Sequence, residues 1–378
     1  MSKILIIYPY LNQEPMVFHL VKSLRDNGLT VDAINSFNLQ FAIKPIQEVQ
    51  LKFRFIPLLS KLPLPKWKGF LFSIFDKKKA LLKIANSYDI VDFHSFITEY
   101  DSLIKELSAK KIIKVTFWGS DFYRATNERR EQQRIALQFA DSIQIGTLAM
   151  KSDIMEHFGE FEDKVRIANF GLQQFDLISE LKKANYVHQY KKGENRDKLM
   201  VVCGYNGSKA QQHFIMIDAL NKLKTDIKQK IFVVFPMTYG ADSSYLKSVE
   251  TELKRTNIAY LILTKHLSEI EMAKLRIDSD IVVNIQKTDA FSGSLQQHLF
   301  SENVVLVGDW LPYSVLDDHK VFFKRTTIEN LYNNISHCIN NFGDLSNLAR
   351  GNCEKMAEIS SLKITGKRIA AIYNELQP

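Results

Sequence analysis

The sequence predicts an α/β protein made of two doubly wound domains, each with a parallel sheet covered by helices. Short apolar strands alternate with amphipathic helices along the chain, which is the pattern of parallel sheets. The alternation starts a second time near Asp197, after a polar stretch from Lys182 to Lys198. With 378 residues, each half is long enough to bury a core of its own.

The first half contains apolar runs typical of buried strands, separated by helical patterns. Apolar residues at helical spacing predict a helix over 16–27, which Gly28 ends, and a second helix over 101–108. The predicted strands are KILIIYPY, TVDAINSF, YDIVDFHSF, KIIKVTFWGSD, DSIQIGT and VRIANFG.

The second half repeats this order. Helices are predicted over 211–223, 245–257, 267–278 and 292–300, and a last amphipathic helix lies near the C-terminus. The predicted strands are KLMVVCGYNG, KIFVVFPM, AYLILTK, SDIVVNIQ and NVVLVG. In such sheets ligands bind beyond the carboxyl ends of the strands, so the residues that follow each strand are the candidates for a site.

Composition excludes several classes of protein. Three scattered cysteines without CxxC spacing argue against a disulfide framework and against a cysteine zinc site. The N-terminal run is too short for a signal peptide, and no stretch approaches the ~20 apolar residues of a membrane span, so we expect a cytoplasmic protein. The net charge of +8 predicts an acidic partner, which is a nucleotide, an anionic lipid or a nucleic acid.

The segment 51–85 breaks the alternation of strands and helices. Six of its residues are Phe or Trp, and these are mixed with eight Lys, one Arg and a single acid, Asp76. Aromatic rings with cations suit an anionic membrane surface. The alternative is an insertion whose aromatic residues pack on the first domain. Nucleic acid fits the charge, but no recognised binding motif accompanies it.

The stretch DAFSGSLQQHLF follows a predicted strand and opens a predicted helix. The first amides of a helix have no internal partner, and a phosphate can reach them where small residues leave the backbone open. Gly293 permits such an approach, and Ser292 and Ser294 add hydroxyl donors. The alternative is an ordinary helix cap formed by Ser292.

This stretch resembles the motif E-x-F-G-x-x-x-x-E of family-four glycosyltransferases, which have the GT-B fold. Asp289 stands at the first Glu, Phe291 at the Phe and Gln297 at the second Glu. Collinear segments agree over most of the chain. YDIVDFHSF places His94 at a family histidine, VTFWGSDF retains Gly119 and Asp121, and VVCGYNGSK matches a strand and loop.

The resemblance implies a GT-B protein with three parts. An N-terminal Rossmann-like acceptor domain covers 1–175 and a C-terminal nucleotide-sugar domain covers 176–355. A terminal helix, 356–378, crosses back to the first domain, and the two domains face each other across a cleft. The sequence departs from the family at Tyr205, which replaces an Arg, at neutral Gln297, and in the absence of a glycine-rich loop after the first strand.

The resemblance also implies the site. Asp289, Asp121 and His94 would be catalytic, with Asp289 on the donor sugar. The loop residues Asn206, Gly207, Ser208 and Lys209 would bind the donor, with Lys209 on the diphosphate. Six residues of the stretch DAFSGSLQQHLF would also bind the donor, with Gln297 on the ribose. They are Phe291, Ser292, Gly293, Ser294, Leu295 and Gln297. No metal and no cofactor are expected. Alternatively, His94 is a core histidine, Asp121 a helix cap and Lys209 a solvated lysine.

The expected function is transfer of a sugar from a nucleotide-sugar to a lipid-linked or surface-polysaccharide precursor. The reaction would be retaining and would take place at the inner face of the membrane, with the protein held peripherally through 51–85. The alternatives are a nucleotide-sugar epimerase of the same fold and a catalytically inactive module that partners another transferase. The sequence names neither the sugar nor the nucleobase nor the acceptor.

Overall fold

Two parallel β-sheets organise the chain, one in each of two structural units. A computed structural model describes residues 2–9, 14–45, 77–184 and 186–377. The first unit comprises Met1–Gly171 together with Leu362–Pro378, and the second comprises Leu172–Ser361. The chain therefore leaves the first unit once and returns to it at its C-terminus.

The elements of the first unit follow the predicted alternation. Its strands are β1 Lys3–Tyr8, β2 Thr30–Asn35, β3 Ile90–His94, β4 Ile112–Thr116, β5 Ser142–Ile145 and β6 Val165–Ile167. Its helices up to residue 171 are α1 Glu14–Asp26, α2 over 77–85, α3 Asp101–Leu107, α4 Ser120–Tyr123, α5 Asn127–Leu137 and α6 Leu148–Phe158.

The second unit contains the remaining strands. They are β7 Leu199–Cys203, β8 Ile231–Pro236, β9 Ala259–Leu263, β10 Ile281–Asn284, β11 Val304–Gly308 and β12 Lys324–Thr326. Its helices are α7 Gln174–Lys183, α8 His213–Asn221, α9 Thr225–Gln229, α10 Ser243–Arg255, α11 Glu269–Asp278, α12 Gly293–Phe300, α13 Ser314–Asp318, α14 Leu331–Asn340, α15 Phe342–Ala349 and α16 Asn352–Ser360. The C-terminal helix α17, Leu362–Glu375, belongs to the first unit.

All neighbouring strands of the two sheets run parallel, with the orders β2-β1-β3-β4-β5-β6 and β12-β11-β10-β7-β8-β9. Each sheet separates two apolar cores because successive side chains point to opposite faces. Leu5 and Ile7 enter one core, whereas Ile4 enters the other. In the second unit, Val201 likewise enters one core and Met200 enters the other. The predicted α/β class with two doubly wound Rossmann-like domains is thereby confirmed.

The C-terminal helix completes the first unit, as expected for a helix that returns to the first domain. Ile369, Ile372 and Tyr373 of α17 are buried in the core that also holds Val17 and Leu20 of α1. The packing is close: a Cβ atom added at Gly366 of α17 would lie 2.0 Å from the Ser23 Oγ atom of α1. The backbone of α17 at Gly366 therefore packs directly against the Ser23 side chain of α1.

Most of the basic aromatic segment, 51–76, lies outside the described residues. Its last part is helix α2, and Leu81, Ile84 and Ala85 of this helix are buried in the core of the first unit. Of the helices that the structure describes, none combines the length and apolar composition that a membrane span requires.

Candidate functional site

The strand order of the second unit creates a crevice between β7 and β10. Successive strands depart in opposite directions from this point, and loops at such a point commonly hold ligands. The loops after β7 and β10 are joined by hydrogen bonds, one of which runs from Gln212 Nε2 to Ile285 O. Lys287 N donates to Ala210 O at 2.9 Å, and Gln211 Nε2 donates to Gln286 Oε1 at 3.0 Å. The loops that carry the predicted donor-binding residues are thus fixed to each other.

The corner between β10 and α12 is organised by the Asp289 carboxylate. This group accepts hydrogen bonds from Ser292 N at 2.9 Å, from Ala290 N at 3.0 Å and from the Tyr313 hydroxyl. Burial raises the pKa of Asp289 in spite of these bonds. Phe291 has a φ of +113°, which an L-residue rarely adopts, so these contacts hold a strained turn. The carboxylate predicted to bind donor sugar hydroxyls thus has three internal donors.

The N-terminus of α12 keeps open amides. Ser292 caps the helix, because its Oγ atom accepts a hydrogen bond from Leu295 N at 3.4 Å. The helix cap that the sequence offered as the alternative interpretation is therefore present. The amides of Gly293 and Ser294 have no acceptor among the described residues. The cap therefore leaves two donors at the positive end of the helix dipole.

These amides lie at a cavity of about 250 Å³ in the second unit. The cavity is formed by the loops after β7, β8 and β9, by α11 and by the first turns of α12. Its lining residues are Tyr205, Pro236, Thr238, Tyr239, His266, Leu267, Met272, Leu275, Arg276, Ser292, Gly293, Ser294 and Gln297. The cavity lies at the carboxyl ends of the strands, where the strand order predicts a ligand.

Arg276 of α11 is the cation at this cavity, and it was not among the residues predicted from the sequence. Its side chain is only 5% exposed, and burial lowers its pKa to about 10, so it stays charged at neutral pH. Its Nε atom donates to Gln297 Oε1 at 3.1 Å, and its Nη1 atom donates to His298 Nε2 at 2.9 Å. The cavity therefore presents a fixed guanidinium beside the open amides of α12.

The loop after β7, which the sequence predicts to bind the donor, does not line this cavity with its residues 206–209. These four residues are Asn206, Gly207, Ser208 and Lys209. Gly207 N donates to Tyr239 O at 2.7 Å, and a Cβ atom at Gly207 would lie 2.5 Å from the Cβ atom of Ala241. Lys209 is exposed, with its Nζ atom 5.6 Å from the centre of the Tyr245 ring. The role of this loop in donor binding stays a prediction.

Of the six predicted donor-binding residues at α12, four line the cavity and two lie in the core. Ser292, Gly293, Ser294 and Gln297 line it. The side chains of Phe291 and Leu295 are buried, and the amide of Leu295 is already bonded to the cap. Gln297 reaches the cavity, but its carbonyl oxygen accepts from Arg276, so the oxygen expected on a ribose has an internal donor.

His94 in the first unit belongs to a buried polar network. The residue is 2% exposed, and its Nε2 atom lies 3.0 Å from Asp92 Oδ2. Its Nδ1 atom accepts from Trp118 Nε1 at 3.3 Å. Asp92 also accepts from Lys114 Nζ and the Tyr373 hydroxyl, both at 2.6 Å. Both ring nitrogens have protein partners, so a catalytic role for His94 stays a prediction.

Asp121 in the first unit combines a structural role with access to a second cavity. Its carboxylate accepts from the backbone amides of Phe96 at 2.8 Å, Gly119 at 2.9 Å and Trp118 at 3.0 Å. Burial outweighs these bonds and raises the pKa of Asp121 to about 6. The second cavity, of about 470 Å³, is lined by Asp121 together with Phe96, Ile97, Thr98, Glu99, Ser120, Arg124, Ala125 and Arg129.

The sequence carried only a weak signal for Arg276. The residue lies three positions after Ala273, a buried residue of the same helix, so a cation falls on the face that packs inward. Arginine is rarely buried without a partner. Recognising this signal requires knowing which face of the helix packs inward. The signal also does not indicate which groups the arginine contacts.

Several solved glycosyltransferase structures share the fold of this chain over its full length. One from Rickettsia africae is 16% identical, with a TM-score of 0.71, and the match covers 99% of this chain and 98% of that one. HepE from Anabaena, in a complex with UDP and glucose, is 14% identical with a TM-score of 0.70, covering 99% and 100%. A sucrose-phosphate synthase from Thermosynechococcus elongatus is 11% identical with a TM-score of 0.73, covering 100% and 99%.

No protein-family model matches the sequence, and no curated protein matches it. At identities of 11–16% the structural similarity establishes the fold. The chain has the two-domain GT-B fold of these glycosyltransferases, as the sequence resemblance implies.

Proposed function

We propose that this protein is a glycosyltransferase that uses a nucleotide-sugar donor. The observation that carries the proposal is the cavity of the second unit, where a buried guanidinium and two open helix amides meet at the carboxyl ends of the strands. Such a group of donors suits a diphosphate. The fold is shared with glycosyltransferases, and one of these, HepE, has been solved with UDP and with UDP-glucose.

The chemistry of transfer fits this arrangement. When the bond between the sugar and the diphosphate breaks, negative charge develops on the leaving phosphate. Donors that are already oriented lower the energy of that state, because they need not reorganise during the reaction. The Arg276 guanidinium and the Gly293 and Ser294 amides would supply this stabilisation. The family resemblance suggests retention at the anomeric carbon, and we include retention in the proposal.

The acceptor would be a lipid-linked or surface-polysaccharide precursor at the inner face of the membrane. The net charge of +8 and the basic aromatic composition of 51–85 favour an anionic surface. In the first unit, Arg124 is exposed at the cavity that Asp121 also lines. A cation at this cavity suits an acceptor that carries phosphate. Retention of the protein on vesicles containing anionic lipid, and not on neutral vesicles, tests the membrane part.

A panel of nucleoside diphosphates and nucleotide-sugars, scored by melting temperature, tests donor binding. A ligand that binds the folded state raises its stability, by about 2.7 kcal/mol at a concentration one hundred times Kd. We expect a shift with a uridine nucleotide first, because UDP and UDP-glucose are bound in HepE. If no nucleotide shifted the melting temperature, the proposed function would be wrong.

A Ser294→Asp variant locates the binding site. A carboxylate in the first turn of a helix stabilises the helix by roughly 0.3–1 kcal/mol, so the fold should be retained. At the cavity it would compete for the open amides and repel a diphosphate, and we expect nucleotide affinity to fall at least tenfold. Ser243→Asp, in the first turn of α10 and outside the cavity lining, is the matched control. Equal affinity in both variants would place the donor elsewhere.

Turnover assays separate the proposal from its alternatives. Conversion of the donor without an acceptor would indicate an epimerase. Donor binding without turnover, unchanged by Asp289→Ala, would indicate an inactive partner module. A transferase instead consumes the donor only when an acceptor is present, and Asp289→Ala should impair it because the turn that orients α12 loses its three hydrogen bonds.

A further inference from the structure

We propose that Arg276 is the phosphate-binding cation of this site and that Gln297 is neutral in order to keep Arg276 available to the ligand. This inference rests on the proposed function for the identity of the ligand, a nucleoside diphosphate. It assigns to α11 the positive charge that the family resemblance places in the loop after β7. It also gives Gln297 a positioning role in place of a direct role on the ribose.

The first argument is the burial of an incompletely paired cation. Arg276 is 5% exposed, and both of its protein partners, Gln297 Oε1 and His298 Nε2, are neutral acceptors. His298 is held neutral because its Nδ1 atom faces Asn303 Oδ1 at 2.7 Å while its Nε2 atom accepts from Arg276. No carboxylate pairs with Arg276 among the described residues. A buried cation without a counter-ion is costly unless an anion supplies the missing charge.

The second argument is that the guanidinium of Arg276 keeps donors that no protein group accepts from, among the residues that the structure describes. Nε and Nη1 are bonded to the protein, whereas Nη2 has no acceptor in the part of the chain that the structure describes. Arg276 lines the cavity, so its remaining donors are available to a bound molecule. The cavity lining contains no Asp and no Glu among the residues that the structure describes. The free donors of the guanidinium, together with the open amides of Gly293 and Ser294, thus form a set that matches an anion.

The third argument is the chemistry of position 297. A neutral amide oxygen orients Arg276 without cancelling its charge. A carboxylate at the same place would form an ion pair with Arg276, and a bound phosphate would then face a neutral pair. The Gln297 Nε2 atom lies 4.0 Å from the Cβ position of Gly293, close to the open end of α12. The amide at 297 therefore adds a donor where a carboxylate would add a negative charge.

Titration calorimetry on Gln297→Glu tests the inference, with inorganic pyrophosphate, UDP and uridine as probes. The introduced carboxylate would pair with Arg276 and lie near the helix amides, so we expect this variant to fold with an unchanged or higher melting temperature. Its affinity for pyrophosphate and for UDP should fall roughly tenfold to a hundredfold, while its affinity for uridine stays unchanged. Arg276→Gln should lose pyrophosphate binding to a similar extent, provided that circular dichroism shows an intact fold.

Two outcomes would overturn the inference. Tighter or equal binding of UDP by Gln297→Glu would mean that position 297 acts on the ribose, where a carboxylate is the better partner. A parallel loss of uridine and UDP affinity would mean that the variant damages the nucleoside subsite and not the phosphate subsite.

The pyrophosphate arm separates this inference from the proposed function. If the unmodified protein bound pyrophosphate but no nucleotide-sugar, and Gln297→Glu removed that binding, the phosphate subsite would stand and the glycosyltransferase proposal would fail. If the unmodified protein bound nucleotide-sugars and Gln297→Glu left UDP affinity unchanged, the glycosyltransferase proposal would stand and the role of Arg276 would be wrong.

Discussion

The contact between α1 and α17 makes Gly366→Ala a sharp test of the packing of the C-terminal helix. A Cβ atom at this position would lie 2.0 Å from Ser23 Oγ and 3.3 Å from Ser23 Cβ. Ser23 is buried, and its hydroxyl donates to Leu362 O at 3.2 Å, so the hydroxyl cannot turn away without losing this bond.

The structure sets the size of the effect. Losing the Ser23 hydrogen bond costs about 1 kcal/mol. Separating two packed helices to admit a methyl group costs about 1–3 kcal/mol, and the higher helix propensity of Ala returns about 1 kcal/mol. We therefore expect the free energy that holds α17 on the first unit to fall by about 1–3 kcal/mol.

Amide hydrogen exchange within α17 is the appropriate assay. Since the chain has two units, a single unfolding midpoint does not isolate this helix. Adding Ser23→Ala removes the oxygen that clashes with the new methyl group. The double variant should therefore lose less stability than the summed losses of Gly366→Ala and Ser23→Ala. Gly343→Ala is the matched control, because no atom lies within 4 Å of its added Cβ. Unchanged exchange in Gly366→Ala, or strict additivity in the double variant, would refute the close contact.

Two further predictions concern buried hydrogen-bonding groups. Burial lowers the pKa of His213 from 6.5 to about 4, so the protein should lose stability as pH falls from 6.5 towards 4, by up to about 3 kcal/mol from this group. Urea unfolding across this range should show a flatter pH dependence in His213→Gln, and equal slopes would contradict the assignment. Tyr373→Phe removes the 2.6 Å hydrogen bond to Asp92 and should destabilise the first unit by about 1–3 kcal/mol, measured by amide hydrogen exchange within β3, because a charged acceptor loses a donor. Tyr332→Phe, whose hydroxyl has no partner among the described residues, should have little effect, and equal effects of both changes would count against the Asp92 network.

The alternation of strands and helices was predictable from the sequence because it depends on local periodicity. Buried strands such as β1 and β8 are continuous apolar runs, which need no tertiary information to recognise. Helix starts were less predictable. The helix predicted from 211 begins at His213, because Gln212 adopts a left-handed conformation with φ +61° after a single turn of 3₁₀-helix.

The candidate site was predictable only in part. The β10–α12 corner could be identified because the strand end, the small residues and the cap are adjacent in sequence. The contact of Arg276 with Gln297 joins residues 21 positions apart on two helices, and the sequence gives no indication of it. The contacts of Asp289 with Tyr313 and of His94 with Trp118 were equally hidden, because Tyr313 and Trp118 lie on other elements.

The return of the C-terminal helix to the first unit constrains how the protein is made. The second unit is synthesised before α17, so most of it is available for folding while the first unit still lacks the residues that bury α1. Until Tyr373 has been synthesised, Asp92 lacks the hydrogen bond from the tyrosine hydroxyl and Lys114 lacks the contact with the tyrosine ring. The first unit, although its N-terminal part is synthesised first, thus completes its native contacts only after the C-terminal residues have been made.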